Sequence, residues 1–220
     1  MGWLTPTMQD LLLEASWQTL VMVGASAAIA VACGLPLALL LQVTGSGGLR
    51  PLPWLQRPLG LIVNAARSTP FIILMVAIVP FTRFVAGTSI GTGAAIVPLA
   101  LAATAFLARL FENALREVDA GVVEAARAMG ASRWQIVTKV LVPEALPGLV
   151  AAITVALVSL VGFSAMAGAI GGGGLGDLGI RFGYQRFMPE VMAIVVLILI
   201  LFVQGLQSLG DWLVRRLSHR

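Results

Sequence analysis

Five apolar runs, each near the length of a membrane-crossing helix, constrain this chain more than any other feature. They cover Trp17–Leu41, Leu59–Pro80, Gly93–Leu110, Leu146–Ala169 and Pro189–Leu209. About twenty residues of α-helix cross a hydrocarbon layer roughly 30 Å thick. Backbone N–H and C=O groups find no water there, so a spanning segment must satisfy them internally. These runs are continuous rather than alternating, which predicts helices and not a barrel. Composition agrees: 59% of the 220 residues are hydrophobic and 11% charged, against about 25% charged in soluble domains. The expected fold is all-α, a polytopic membrane protein with five transmembrane helices in a single domain over residues 1–220.

Charge placement predicts orientation. With five spans the termini lie on opposite sides. If the segment around Glu124 is inside, the inside Lys and Arg are Arg50, Arg57, Arg67, Arg109, Arg116, Arg127, Arg133, Lys139, Arg215, Arg216 and Arg220, which is eleven. Outside are Arg83, Arg181 and Arg186, which is three. The excess of basic residues marks the cytoplasmic side, so the N-terminus is expected outside and the C-terminus in the cytoplasm. The net charge of +4 therefore sets orientation and does not imply nucleic acid. The first sixteen residues hold no Lys or Arg, so no cleaved signal is expected there.

The one long polar-containing segment is Glu124–Pro143, within a charged region that begins at Glu112. Asp119 is placed to cap a short helix carrying Val122, Ala126 and Met129 at helical spacing. Gly130 suits the left-handed position just past that helix. Ser132 and Gln135 form a Ser-x-x-Gln capping box for a second helix, with Trp134, Val137, Val140 and Leu141 as its apolar side and Pro143 as its end. The first helix is small-sided at Ala125, Ala126 and Ala128, so another protein's surface could approach its backbone. The plainer reading is a surface hairpin that only connects two spans.

Other candidates carry less. Gly171-x-Gly173-x-x-Gly176 matches a dinucleotide fingerprint, but no strand precedes it and the topology places it near the outer face. No phosphate-cradling G-x-x-x-x-G-K-[ST] occurs. Cys33 stands alone and His219 lies in the tail, so neither a disulfide framework nor a cysteine-based metal site is expected. The spans as drawn contain no interior Asp or Glu, which argues against proton-coupled carriers and intramembrane hydrolases. Arg67 in the second span reads as snorkelling or as lining a pathway. No internal repeat supports an inverted-repeat carrier. Small residues from Ser159 to Gly179 allow close helix packing. The fourth span then lines a pathway near Ser164, Met166 and Gly168, with Met166 a bulky plug; the alternative is plain packing followed by a flexible outer loop.

Glu124-Ala125-Ala126, Gly130, Val140 and Val142-Pro143 resemble the EAA loop of ABC importer permeases. Beyond the loop, Arg67–Leu74, Val79–Arg83, Gly87–Gly91, Ala95–Leu99, Glu112–Leu115, Pro143–Val150 and Ser164–Met166 resemble the methionine-importer permeases of bacteria. That resemblance implies the type I ABC importer transmembrane domain and a homodimer in the bacterial inner membrane. It implies a coupling helix at Glu124, Ala125, Ala126, Met129 and Gly130 that docks on two ABC ATPase subunits. ATP and Mg²⁺ would sit on those subunits, with no cofactor or catalysis in this chain. A periplasmic or lipid-anchored binding protein would deliver D- or L-methionine. The competing expectations are an importer of another amino acid or small solute, and a passive channel or structural membrane subunit. Ala126→Arg is expected to abolish ATPase docking.

Overall fold

The computed structural model describes residues 5–218; His219 and Arg220 lie outside them, as do the first four residues. Every regular element in the described residues is helical. α1 runs from Pro6 to Thr44. Thr5 caps it, its Oγ1 accepting from the Met8 N–H at 3.3 Å, and Pro6 occupies the first turn, where a missing N–H costs nothing. Its 39 residues rise about 58 Å, so the expected span Trp17–Leu41 is the middle of a longer rod. The helix continues through Pro36. Gly34 serves close packing: a Cβ there would lie 3.3 Å from the Leu107 Cβ.

The expected second span, Leu59–Pro80, is not one helix. α2 (Pro53–Ser68) and α3 (Phe71–Ala77) meet at 107°. Thr69 is extended, with φ −78° and ψ 126°. The ring of Pro70 disfavours a helical residue before it and supplies no N–H. Arg67 is exposed in the last turn of α2, where a cation suits the helix dipole. α4 (Val79–Ala86) begins at the end of the expected second span and continues beyond it, ending at left-handed Gly87.

α5 (Thr92–Arg116) is longer than the expected Gly93–Leu110 and carries the helix through Glu112. α6 (Ala120–Ala128) and α7 (Arg133–Ile136) form the polar segment. α8 (Val142–Ala167) follows α7 through a π-turn at Val137–Leu141. Pro143 therefore does not end that helix. The Val142 N–H reaches back to the Val137 carbonyl, and this wider turn just before the proline relieves the clash its ring would make with a regular helix.

The glycine-rich stretch after α8 is a folded hairpin rather than a flexible loop. A broken turn at Gly168–Gly172 leads into α9 (Gly174–Leu178) and a π-turn to Tyr184. The Gly174 N–H donates to Gln18 Oε1 at 2.8 Å and the Leu175 N–H to Thr19 Oγ1 at 2.9 Å. Side chains of α1 thus satisfy the amides that a dinucleotide fingerprint would turn to phosphate. A Cβ on Gly176 would fall 2.3 Å from the Ala165 carbonyl oxygen, so only glycine lets the hairpin sit this close to α8.

α10 (Pro189–Leu217) closes the chain along α8. A Cβ on Gly210 would meet the Thr154 side chain. Leu197, Ile200, Leu201 and Leu209 point outward from α10, as suits a lipid-facing helix. The core lies between α1, α5 and α8, with Met22, Leu99, Leu107, Phe111 and Leu160 fully buried. Among the described residues, four helices are long and apolar enough to cross a membrane, and the bent α2–α3 pair makes a fifth if it counts as one span.

Candidate functional site: the elbow between α6 and α7

The elbow is built by local rules. Asp119 Oδ1 accepts from the Gly121 N–H at 2.6 Å, capping α6. Gly130 takes φ +80° just past its end. The Ala131 N–H returns to the Ala126 carbonyl at 3.1 Å and the Gly130 N–H to the Arg127 carbonyl at 2.9 Å. This pair of bonds satisfies carbonyls that a helix end leaves open. Ser132 then starts α7 with its capping box complete: its N–H donates to Gln135 Oε1 at 2.8 Å and its Oγ accepts from the Gln135 N–H at 3.3 Å. Both helix ends at the corner are closed, so the elbow holds one shape.

Its two sides differ. Ala126, Ile136, Val137 and Leu141 pack into the main core beside Phe111 and Leu115. Ala126 is 4% exposed, so it faces its own chain, and Ala126→Arg would test folding and not docking. Glu124, Ala125, Ala128 and Gly130 face outward. Met129 is 81% exposed and Trp134 75% exposed, one on each side of the corner. Trp134 thus leaves the inward apolar side that its spacing predicts. Two large apolar side chains held in the open on a capped elbow suit burial against another surface.

Beneath the elbow lies a charge cluster that the expected third span, ending at Leu110, cuts in two. Glu112 is fully buried in α5 and is paired with both Arg109 and Arg116. Arg109 also donates from Nε to Asn64 Oδ1 at 3.1 Å and from a terminal nitrogen to the Gly60 carbonyl at 3.1 Å, tying α5 to α2. The signal was present as Arg-x-x-Glu-x-x-x-Arg, whose members share one helix face. A cavity of about 210 Å³ opens beside it, lined in part by Arg116, Glu124 and Arg127.

The pathway candidates separate. Ser164 is buried and its hydroxyl donates to the Val161 carbonyl at 2.8 Å. Gly168 is buried, and a Cβ there would lie 2.4 Å from the Asp177 nitrogen, so it is a packing glycine for the hairpin. Met166 is 47% exposed. Of the three, Met166 alone presents its side chain outside the subunit. No cluster of metal-ligating side chains occurs among the described residues.

A bundle of long apolar helices with a capped elbow at one end is the architecture of a polytopic membrane protein. The chain belongs to the family described as the binding-protein-dependent transport system inner membrane component, whose model matches residues 34–220. It is 54% identical over 211 residues to the probable D-methionine transport system permease protein MetI of Vibrio cholerae, covering 96% of this chain and 94% of that one. Against the D-methionine transport system permease protein MetI of Escherichia coli K12 it is 53% identical over 161 residues, covering 73% and 74%. Its fold matches a chain of the inward-facing MetNI methionine ABC transporter with a TM-score of 0.96 and 48% identity, covering 98% of this chain and 100% of that one. The fold is therefore that of a type I importer permease.

Proposed function

We propose that this chain is the membrane-spanning subunit of an ATP-driven importer that moves D- and L-methionine into the cytoplasm by alternating access. The observation that carries the reading is the exposed Met129–Trp134 corner on an elbow capped at both helix ends. The relatives' names supply the solute, and the charge count places the elbow inside the cell. Two ATPase subunits hold ATP and Mg²⁺ and dock on two copies of this chain, one elbow each. A binding protein outside delivers methionine.

The chain's own part is mechanical. ATPase closure draws the elbows together. α7 and α8 are joined without a break by the π-turn at Val137–Leu141, so the elbow's movement passes along α8 to Met166. The pathway lies between the two copies, where the outward side of Met166 narrows it. ATP binding favours the outward-open arrangement only through the docked surface, because a state shifts by as much as its partner binds it better. The fold's likeness to an inward-facing neighbour supports assigning this conformation to the nucleotide-free half of the cycle.

Vesicles holding the chain, its ATPase and its binding protein test the reading. Labelled methionine should accumulate only with ATP, and unlabelled D- and L-methionine should compete. Accumulation without ATP, or competition by other amino acids and not by methionine, would overturn it.

A further inference from the structure

The Glu112 cluster contains more charge than it needs. Glu112 carries one negative charge and is flanked by two guanidinium groups. Arg109 is engaged on three sides, by Glu112, Asn64 and the Gly60 carbonyl. Its single positive charge is enough to balance the buried carboxylate, and it has little freedom to leave. Arg116 differs in every respect. Its side chain is 52% exposed, and Glu112 is the one partner it has among the described residues. A guanidinium has five N–H donors, so most of its capacity is open. Removing it would leave Glu112 still paired, which avoids the penalty of an isolated buried charge.

A carboxylate that shares a cavity with it is on the elbow. Arg116 and Glu124 line the same cavity of about 210 Å³, together with Arg127. Glu124 has no ion-pair partner among the described residues, Arg127 included. α5 and α6 are separated by only Glu117–Asp119, so a small rotation of α6 changes the Arg116–Glu124 separation more than the Arg116–Glu112 one, which stays within α5.

We propose that Arg116 is a positioning residue that exchanges carboxylates, from Glu112 to Glu124, as the elbow moves. Resting on the importer reading above, the exchange makes Glu124 a latch read by its own chain. In the conformation described here Arg116 is parked on α5 and the elbow is unlatched. Inward movement of the elbow brings Glu124 to Arg116, and the new pair holds the elbow in its displaced position while Arg109 keeps Glu112 neutral.

The test uses the full transporter. With cysteines placed at Arg116 and Glu124, disulfide yield should rise when the ATPases are trapped in the ATP-bound state and fall when nucleotide is withdrawn. Yield independent of nucleotide overturns the exchange. A second measurement keeps the native chemistry: uptake per ATP hydrolysed in Arg116→Gln, Glu124→Gln and the double variant. Each single change should lower that ratio roughly threefold, the scale of a partly exposed ion pair, and the double should fall no further. Arg116→Lys should keep most of it. Multiplying losses in the double variant, or an unchanged ratio in Arg116→Gln, contradicts the proposal. Failure of the importer reading shows separately, as a wild-type chain that retains no ATPase.

Discussion

Gly130 holds a backbone angle of φ +80° that a side chain disfavours by about 1–2 kcal/mol. Gly130→Ala should destabilise the elbow by about that amount and alter the angle between α6 and α7. Thermal unfolding reads the first effect and ATPase co-purification the second. Arg109→Ala acts elsewhere. It leaves Glu112 fully buried with only its looser partner and frees Gly60 and Asn64 of α2. Losing the more buried partner together with its two bonds to α2 costs more than losing the half-exposed one, so the melting temperature should drop more than for Arg116→Gln. Equal drops would contradict the unequal roles assigned to the two arginines. At this scale, the caps at Asp119, Gly130 and Ser132 were legible because each depends on residues two or three positions away. The direction of Ala126 and Trp134 was not, because α6 and α7 turn toward Phe111 and Leu115, which no local pattern announces.

Elements were legible where hydrophobicity and backbone chemistry agreed. α5, α8 and α10 fall where apolar runs predict, though each extends beyond its run because a helix continues wherever its next turn finds partners. Agreement failed at Thr69–Pro70, where a continuous apolar run conceals a 107° bend that the pre-proline clash dictates. It failed again at Pro143, where a π-turn lets the helix pass a residue expected to stop it. The second departure shapes the proposed transmission. Because α8 begins at the elbow and ends beside the hairpin that Gly168 and Gly176 pack, movement at one end reaches Met166 at the other. Met166→Ala should therefore raise ATP-independent leak of methionine from vesicles. An unchanged leak with unchanged transport would remove Met166 from the gate.

At the scale of the whole molecule, the bundle has two chemically different ends. The elbow end carries the Glu112 cluster, the cavity beside it and the outward Met129–Trp134 corner. The other end carries the glycine hairpin, with Arg181 paired to Asp177 at 2.7 Å and both Arg181 and Arg186 against the Phe182 ring. A reporter fused after the C-terminus should be active in the cytoplasm, as the basic-residue count predicts; activity on the outer side would invert the account. Overall class was readable from apolar length and charge content. The division of the elbow into an inward and an outward side was not, since it exists only once α6 and α7 lie on α5. The proposed function rests on that division, because it offers the outward corner as the place where a partner's work would enter the chain. The double variant Met129→Ser with Trp134→Ser tests it most directly. It should insert and melt like the wild type, yet lose ATPase co-purification and ATP-driven methionine uptake together. Wild-type levels of both in that variant would contradict the account.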